Sequence, residues 1–195
     1  MYRFLSLLQM DHTSNQYMGF SNGASRWSPN LASAAWVIYS PSHELIHIDE
    51  ICMGIATNNQ AEYDGVNGLL AVTLQLGIHH LDVFLDSQLL VSQLNNYYRV
   101  RDPCLFRKFP RTKQMVRAFE SITFTHVPRN LNSIANHMAN DILNWHIHHS
   151  IYEAYKQLHH ASYPSTTPYA GSRTIPQRTT YFFYKLSLDL HSHHM

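Results

Sequence analysis

The chain has 195 residues, of which 45% are hydrophobic, enough for a buried core and too many for a largely disordered protein. The formal net charge of +1 shows no basic excess, so overall charge gives no argument for nucleic-acid binding. Two cysteines exclude a disulfide framework and no apolar stretch reaches membrane-spanning length, so we expect a soluble intracellular protein, nuclear or cytoplasmic, without a clear targeting signal.

Three alternating segments predict the first strands. After an N-terminal extension over residues 1–16, residues 17–21 predict a strand, and the polar segment Asn22-Gly23-Ala24-Ser25 predicts a turn. Residues 32–39 and 44–51 predict the second and third strands. Because short polar segments separate the three strands, we expect an antiparallel meander.

A long helix is predicted next, over residues 58–76. Two asparagines, Asn58 and Asn59, suit its N-terminal cap, and Gly77 suits the residue after its last turn. Two glycines inside the segment oppose the helix by about 1 kcal/mol each relative to alanine. The passage from helix to strand at Gly77 implies a crossover back onto the sheet.

Two carboxylates lie at the ends of neighbouring elements. Glu62 falls in the first turns of the long helix, and residues 81–85 predict a buried strand that ends at Asp86. Carboxylates at a helix start and at a strand end can converge on one divalent cation. Glu62 and Asp86 are therefore candidate metal ligands.

The second half of the chain predicts two helices, a strand and a final helix. Residues 87–94 and 106–119 have helical spacing, and residues 121–127 alternate as a fifth strand. A helix follows from about residue 132 to residue 145 or slightly beyond. This order of elements predicts an α/β layer with a mixed sheet.

The composition changes near the C-terminus. Residues 162–180 are rich in Ser, Thr, Pro and Tyr and show no sustained apolar period. We therefore expect one domain over residues 17–150 and an irregular or poorly ordered tail over residues 151–195.

Six short blocks of sequence follow one another in a characteristic order. They are Phe20-Ser21-Asn22-Gly23-Ala24-Ser25, Ala34-Ala35-Trp36-Val37-Ile38, Thr57-Asn58-Asn59-Gln60-Ala61-Glu62-Tyr63, Leu85-Asp86-Ser87-Gln88-Leu89-Leu90, Val100-Arg101-Asp102-Pro103, and His126-Val127-Pro128-Arg129 with Asn132 and Ala135-Asn136. Together, over about two thirds of the chain, they resemble a type 1 ribonuclease H domain, in the form found in plant retrotransposon polyproteins and related plant ribonuclease-H-like proteins. The resemblance implies a ribonuclease-H-like α/β fold, in which three antiparallel strands and two parallel additions form a five-stranded mixed sheet flanked by helices.

The resemblance also implies hydrolysis of the RNA strand of an RNA·DNA hybrid. That chemistry uses two divalent cations, Mg²⁺ or Mn²⁺, about 3.5–4 Å apart, held by carboxylates. The four corresponding positions are Asn22, Glu62, Asp86 and Asn136, so two of the four are amides in this chain. Glu62 and Asp86 remain as ligands, with Asn22 and Asn136 as neutral replacements.

The two amides change the charge of such a site more than its shape. A carboxylate attracts a divalent ion at about 4 Å by about 8 kcal/mol at an effective dielectric near 20, before desolvation is subtracted. A fraction of that energy, lost twice, exceeds the ~5.5 kcal/mol that corresponds to a ~10⁴-fold slower reaction. We therefore expect weak ribonuclease activity or none, and either Mg²⁺ (or Mn²⁺) or no metal bound.

The resemblance further implies contacts with nucleic acid. Asn58 and Gln60 would reach the 2′-hydroxyls of the RNA strand, which distinguish RNA from DNA. Arg129 would contact the scissile phosphate or stabilise its own loop. The predicted binding set is completed by Ser25, Ser87 and Asn132.

One basic cluster is interleaved with aromatic residues. It consists of Phe106, Arg107, Lys108, Phe109, Arg111, Lys113 and Arg117. Such a cluster either contacts backbone phosphates or forms a solvated helix face, and both interpretations stay open.

Three functions remain as hypotheses. The first is a degenerate domain of retroelement origin that binds an RNA·DNA hybrid or other nucleic acid and is weakly active or inactive. The second is a working Mg²⁺-dependent ribonuclease that uses Glu62 and Asp86 with amide co-ligands. The third is a protein-interaction scaffold, kept to pack against a polymerase-type domain. None of the three involves a membrane.

Overall fold

A computed structural model describes residues 16–27 and 30–160 of the chain. Its strands are β1 (Tyr17–Trp27), β2 (Asn30–Tyr39), β3 (Leu45–Gly54), β4 (His80–Leu85) and β5 (Ser121–His126). Its helices are α1 (Asn58–Gln75), α2 (Gln88–Leu94), α3 (Lys108–Val116) and α4 (Ser133–His160), with 3-10 turns at Pro103–Leu105 and Arg129–Leu131.

The five strands form one sheet in the order β3-β2-β1-β4-β5. β2 pairs antiparallel with both β1 and β3, whereas β4 pairs parallel with both β1 and β5. The predicted α/β fold, with three antiparallel strands and two parallel additions, is confirmed. No helix in the described ranges is long and apolar enough to span a membrane.

The predicted turn at Asn22-Gly23-Ala24-Ser25 is wrong, because these residues lie inside β1. Asn22 pairs with Ala35 of β2, and the pairing continues to Trp27 and Asn30. The ladder of hydrogen bonds with β2 therefore overrides the turn preference of the Asn-Gly pair. As a result, Asn22 is a buried strand residue, with 2% of its surface exposed.

Glycines bring α1 into contact with the sheet. A Cβ atom on Gly23 would lie 2.2 Å from the backbone nitrogen of Glu62 and 2.4 Å from the backbone carbon of Ala61. Inside α1, a Cβ on Gly68 would lie 2.5 Å from the ring of Trp36. The glycines that weaken the helix locally are thus the residues that allow it to pack closely on β1 and β2.

Replacement of Gly23 by alanine is expected to lower the free energy of unfolding by about 3 kcal/mol. The added methyl group meets the backbone of α1, which cannot rotate away, so the helix must shift from the strand. Urea unfolding of the variant measures the loss. The neighbouring Ser25→Ala change, at a partly exposed strand position, should stay within about 0.5 kcal/mol. Equal unfolding midpoints for both variants would contradict the packing argument.

The N-terminal cap of α1 is Thr57, rather than Asn58 or Asn59 as predicted. The Thr57 hydroxyl accepts from the Gln60 backbone N–H at 3.3 Å, and the Gln60 side-chain oxygen accepts from the Thr57 backbone N–H at 2.8 Å. This reciprocal pair is a capping box, which satisfies two donors at once and so prevails over a single asparagine cap. At the other end, Gly77 has φ 71°, as expected of a residue that follows a helix.

The last two helices differ in length from the prediction. The helix predicted over residues 106–119 is α3 at Lys108–Val116, in which Pro110 occupies the first turn, where its missing N–H costs no helical bond. α4 continues to His160, past the predicted end near residue 145, because no glycine or proline interrupts it. Residues 151–160 are therefore helical rather than irregular. The remainder of the predicted tail and the N-terminal extension up to residue 15 lie outside the described residues.

The main hydrophobic core lies where α1, α2 and α3 meet the sheet. Its largest fully buried members are Ile38, Tyr63, Leu69, Leu70, Leu81, Leu85 and Leu105. α4 contacts β2 through the Ser33 hydroxyl, which donates to the carbonyl of Ala139. α4 also contacts β1, because Asn22 and Arg26 bond to Asn136 and Asn140, so β1 has both α1 and α4 as neighbours.

Candidate functional site

The sequence positions 22, 62, 86 and 136 come from four different elements, and the structure brings them together. β1 and β4 pair in parallel up to Phe20 and Phe84, and the residues that follow line an opening at the end of the sheet. A cavity of about 330 Å³ lies there, and Asn22, Glu62 and Asp86 line it. Clefts at the carboxyl ends of parallel strands are the usual ligand sites of open α/β sheets.

Asn136 is the centre of a hydrogen-bond network at one side of the cavity. Its side-chain oxygen accepts from Asn22 Nδ2 at 3.0 Å and from Asn140 Nδ2 at 3.2 Å. The same oxygen accepts from Nε and Nη2 of Arg129, at 3.0 and 2.7 Å. Four N–H groups therefore point at one amide oxygen, which has two lone pairs to offer.

Asp86 is held by one side-chain hydrogen bond and one ion pair. Asn132 Nδ2 donates to Asp86 Oδ1 at 2.9 Å and to the carbonyl oxygen of Ser21 at 2.8 Å. Nε of Arg129 lies 4.0 Å from Asp86 Oδ2. Asn132 is 1% exposed and does not line the cavity, and its predicted contact with nucleic acid stays a prediction. Its amide fixes the Asp86 carboxylate against β1.

Glu62 is buried at the back of the cavity, with 6% of its surface exposed. Burial raises the pKa of the Glu62 carboxyl to about 8, and the charge of Asp86 adds to the rise. Hydrogen bonds from the Gly23 backbone N–H and the Asn58 side chain, and the charge of Arg129, lower the pKa without offsetting burial. Glu62 Oε2 has no hydrogen-bond partner within the described part of the chain.

Four of the six residues predicted to contact nucleic acid line the cavity, namely Ser25, Asn58, Ser87 and Arg129. Ser87 also caps α2, since its hydroxyl accepts from the Leu90 N–H at 3.4 Å. Gln60 does not line the cavity, and its side-chain oxygen is used in the capping box of α1.

Two polar side chains of the cavity wall, Arg26 and Asn140, are absent from the predicted site. Nη2 of Arg26 donates to Asn140 Oδ1 at 2.8 Å. Arg26 is four residues after Asn22 in a strand, and Asn140 is four residues after Asn136 in a helix. These spacings place Arg26 on the same strand face as Asn22, and Asn140 on the same helix face as Asn136. Periodicity is therefore the only feature of the sequence that could have indicated Arg26 and Asn140.

The basic cluster on α3 is partly structural. Nζ of Lys108 lies 2.7 Å from both carboxylate oxygens of Asp64 on α1, and Nζ of Lys113 donates to the Leu94 carbonyl at 3.1 Å. These two lysines therefore attach α3 to α1 and α2. The side chains of Arg107, Arg111 and Arg117 are exposed.

A family model described as reverse transcriptase-like matches residues 20–142. Ribonuclease HI of Halobacterium salinarum is 36% identical over 124 residues, which cover 64% of this chain and 62% of that protein. The chain thus spans less than two thirds of that relative's length. The crystal structure of ribonuclease H1 from this archaeon superposes with a TM-score of 0.64 at 34% identity, over 66% of this chain and 98% of that one.

Two further solved structures have the same fold. The ribonuclease H domain of a Mycobacterium tuberculosis protein is 28% identical, with a TM-score of 0.66 over 70% of this chain and 99% of that one. A ribonuclease H1 isolated from compost, crystallised in complex with an RNA/DNA hybrid, is 26% identical, with a TM-score of 0.61 over 65% of this chain and 95% of that one. The Halobacterium and Mycobacterium relatives are not plant proteins, and the plant form of the family stays a prediction.

Proposed function

We propose that this chain, which belongs to the reverse transcriptase-like family and has the ribonuclease H fold, binds an RNA·DNA hybrid without cleaving it efficiently. The similar ribonuclease H1 from compost holds an RNA/DNA hybrid in its crystal structure, which supports this choice of ligand. The description of the family as reverse transcriptase-like supports an origin in a retroelement.

The hydrogen bonds of Asn136 carry the proposal of inefficient cleavage. A metal ligand must direct a lone pair at the ion, but the Asn136 oxygen already accepts from four N–H groups. Asp86 Oδ1 is likewise engaged by Asn132. The donor set therefore does not fit a pair of divalent cations, which requires several hard, anionic oxygens.

The charge of the site supports the same conclusion. Two carboxylates, Glu62 and Asp86, face the cavity together with two guanidinium groups, Arg26 and Arg129. Even with both carboxylates ionised the four groups sum to zero, whereas a pair of divalent cations brings four positive charges. The low-dielectric setting of Glu62 adds the cost of ionising a buried carboxyl group.

A binding measurement tests the proposed function. Fluorescence anisotropy with a labelled hybrid should give a micromolar dissociation constant at low salt, weakening as salt rises from 50 to 200 mM. Asn58→Ala should weaken binding of the hybrid more than binding of a DNA duplex of the same sequence, because only the hybrid offers 2′-hydroxyls. Equal affinity for hybrid and DNA duplex would contradict hybrid recognition, and no binding of either would favour the scaffold hypothesis.

A further inference from the structure

Two arginines from separate elements reach the same cavity. Arg26 lies near the end of β1, and Arg129 lies in the 3-10 turn before α4. Each guanidinium is held by an asparagine, Arg26 by Asn140 and Arg129 by Asn136. The two side chains are thus positioned by the protein before any ligand binds.

Both guanidinium groups keep donors for a ligand. A guanidinium carries five N–H donors. Within the described residues, Arg26 uses two of them, towards the carbonyl of Ser25 and towards Asn140. Arg129 also uses two, both towards Asn136. About three donors on each arginine therefore remain for a ligand, which is more than one bidentate contact requires.

The charged side chains lie at different depths, and this arrangement favours binding of an anion at the mouth of the cavity. The side chain of Arg129 is 69% exposed, whereas that of Asp86 is 11% exposed and Glu62 is buried. An approaching ligand therefore meets the guanidinium before it meets the carboxylates. Planar guanidinium groups match the geometry of phosphate oxygens and are less strongly hydrated than ammonium groups. The hydroxyls of Ser25 and Ser87 and the Asn58 amide line the same cavity and offer further donors.

We propose that this cavity binds a phosphodiester oxyanion of the nucleic-acid backbone directly, through Arg26 and Arg129 and without a divalent cation. The proposal rests on the proposed hybrid binding for its ligand and adds how the site holds it. The two arginines then do what metal ions do in hydrolytic sites, because they neutralise the charge of the phosphate. Since guanidinium groups at this site supply no activated water, the bound strand stays intact.

The test compares hybrid binding with and without metal. In EDTA the chain should bind a labelled hybrid within twofold of its affinity in 5 mM Mg²⁺. The Arg26→Gln, Arg129→Gln double variant should bind at least tenfold more weakly in EDTA. The slope of its log affinity against log salt concentration should be smaller in magnitude, corresponding to about two fewer counterions released on binding. The Arg99→Gln, Arg101→Gln double variant removes two exposed charges outside both the cavity and the basic cluster, and serves as the charge-matched control.

A second measurement separates the inference from the hybrid proposal and from misfolding. Dimethyl phosphate and inorganic phosphate, titrated against ¹⁵N-labelled protein, should both shift the amide signals of Ser25 and Ser87. The Arg26→Lys, Arg129→Lys variant keeps the charge and should lose most of the diester response, because it loses the bidentate geometry. Circular dichroism of each variant establishes that it is folded.

The outcomes are distinct. Hybrid binding that requires Mg²⁺, or that is unchanged in the folded double glutamine variant, overturns the inference and leaves the proposed function standing. Phosphate shifts that vanish in the variants, with no hybrid bound by the parent chain, sustain the inference and refute the proposed function.

Discussion

Restoring two carboxylates is expected to switch on hybrid cleavage by about 10⁴-fold in Mg²⁺. The Asn22→Asp, Asn136→Asp double variant places four carboxyl groups around the cavity in place of two. The hydrogen bond between positions 22 and 136, 3.0 Å long in the parent chain, is then replaced by repulsion between carboxylates, which a divalent cation relieves. A labelled hybrid incubated with parent and variant, and resolved on a denaturing gel, measures the difference.

Metal binding by the same double variant should also be measurable without cleavage, through its melting temperature. Without metal its melting temperature should fall below that of the parent, and added Mg²⁺ should raise it again by mass action. Addition of Glu62→Gln to the double variant should abolish cleavage and serves as the control. Cleavage by the parent chain at a rate similar to that of the double variant would show that amide oxygens suffice, and would support the alternative of an active ribonuclease.

The second large effect is a dependence of stability on pH that originates from Glu62. Its pKa in the folded chain is about 8, raised from 4.5. The folded state therefore binds the Glu62 proton more tightly than the unfolded state does. This contribution to stability is fully present below pH 4.5 and is lost as the pH rises towards 8. At about 1.4 kcal/mol for each unit of pKa difference, the loss approaches about 5 kcal/mol.

Urea unfolding of the parent and of Glu62→Gln at pH 5, 7 and 9 isolates this effect from the histidines, which both proteins share. The variant should be similar to the parent at pH 5 and clearly more stable at pH 9. Asp86→Asn removes the neighbouring negative charge, so ionised Glu62 is less repelled and its pKa in the folded chain falls. The loss of stability should therefore be smaller and complete at a lower pH. Parallel curves for parent and Glu62→Gln would mean that Glu62 ionises freely in the folded chain.

Alternation was sufficient to locate the five strands, and the order of elements indicated a mixed sheet, whereas the two parallel additions came from the family resemblance. β4 is the clearest case, since residues 81–85 are all buried and lie within the strand His80–Leu85. The prediction of a turn over residues 22–25 was wrong. The local preference of an Asn-Gly pair for a turn is the same whether the glycine bends the chain or leaves room for a neighbouring helix. That distinction depends on α1, which lies almost forty residues away in sequence.

The positions of the site residues were predicted from the sequence, but their roles were predicted only in part. Resemblance located Asn22, Glu62, Asp86 and Asn136, and the structure places them around one cavity or its adjoining network. It did not indicate that Asn132 is buried against Asp86, because a buried and an exposed asparagine look alike in sequence. Hydrogen-bond partners are properties of the folded chain, and local sequence carries little information about them.

The close contact of Gly23 with α1 has a consequence for substitution at the neighbouring position. Because the backbone itself sets the spacing there, the packing of α1 on β1 does not depend on which side chain projects from position 22. Asparagine and aspartate codons differ by one nucleotide, so an aspartate at position 22 or 136 lies a single point mutation away. An aspartate at position 22 would therefore arise in one step with the packing of α1 on β1 retained.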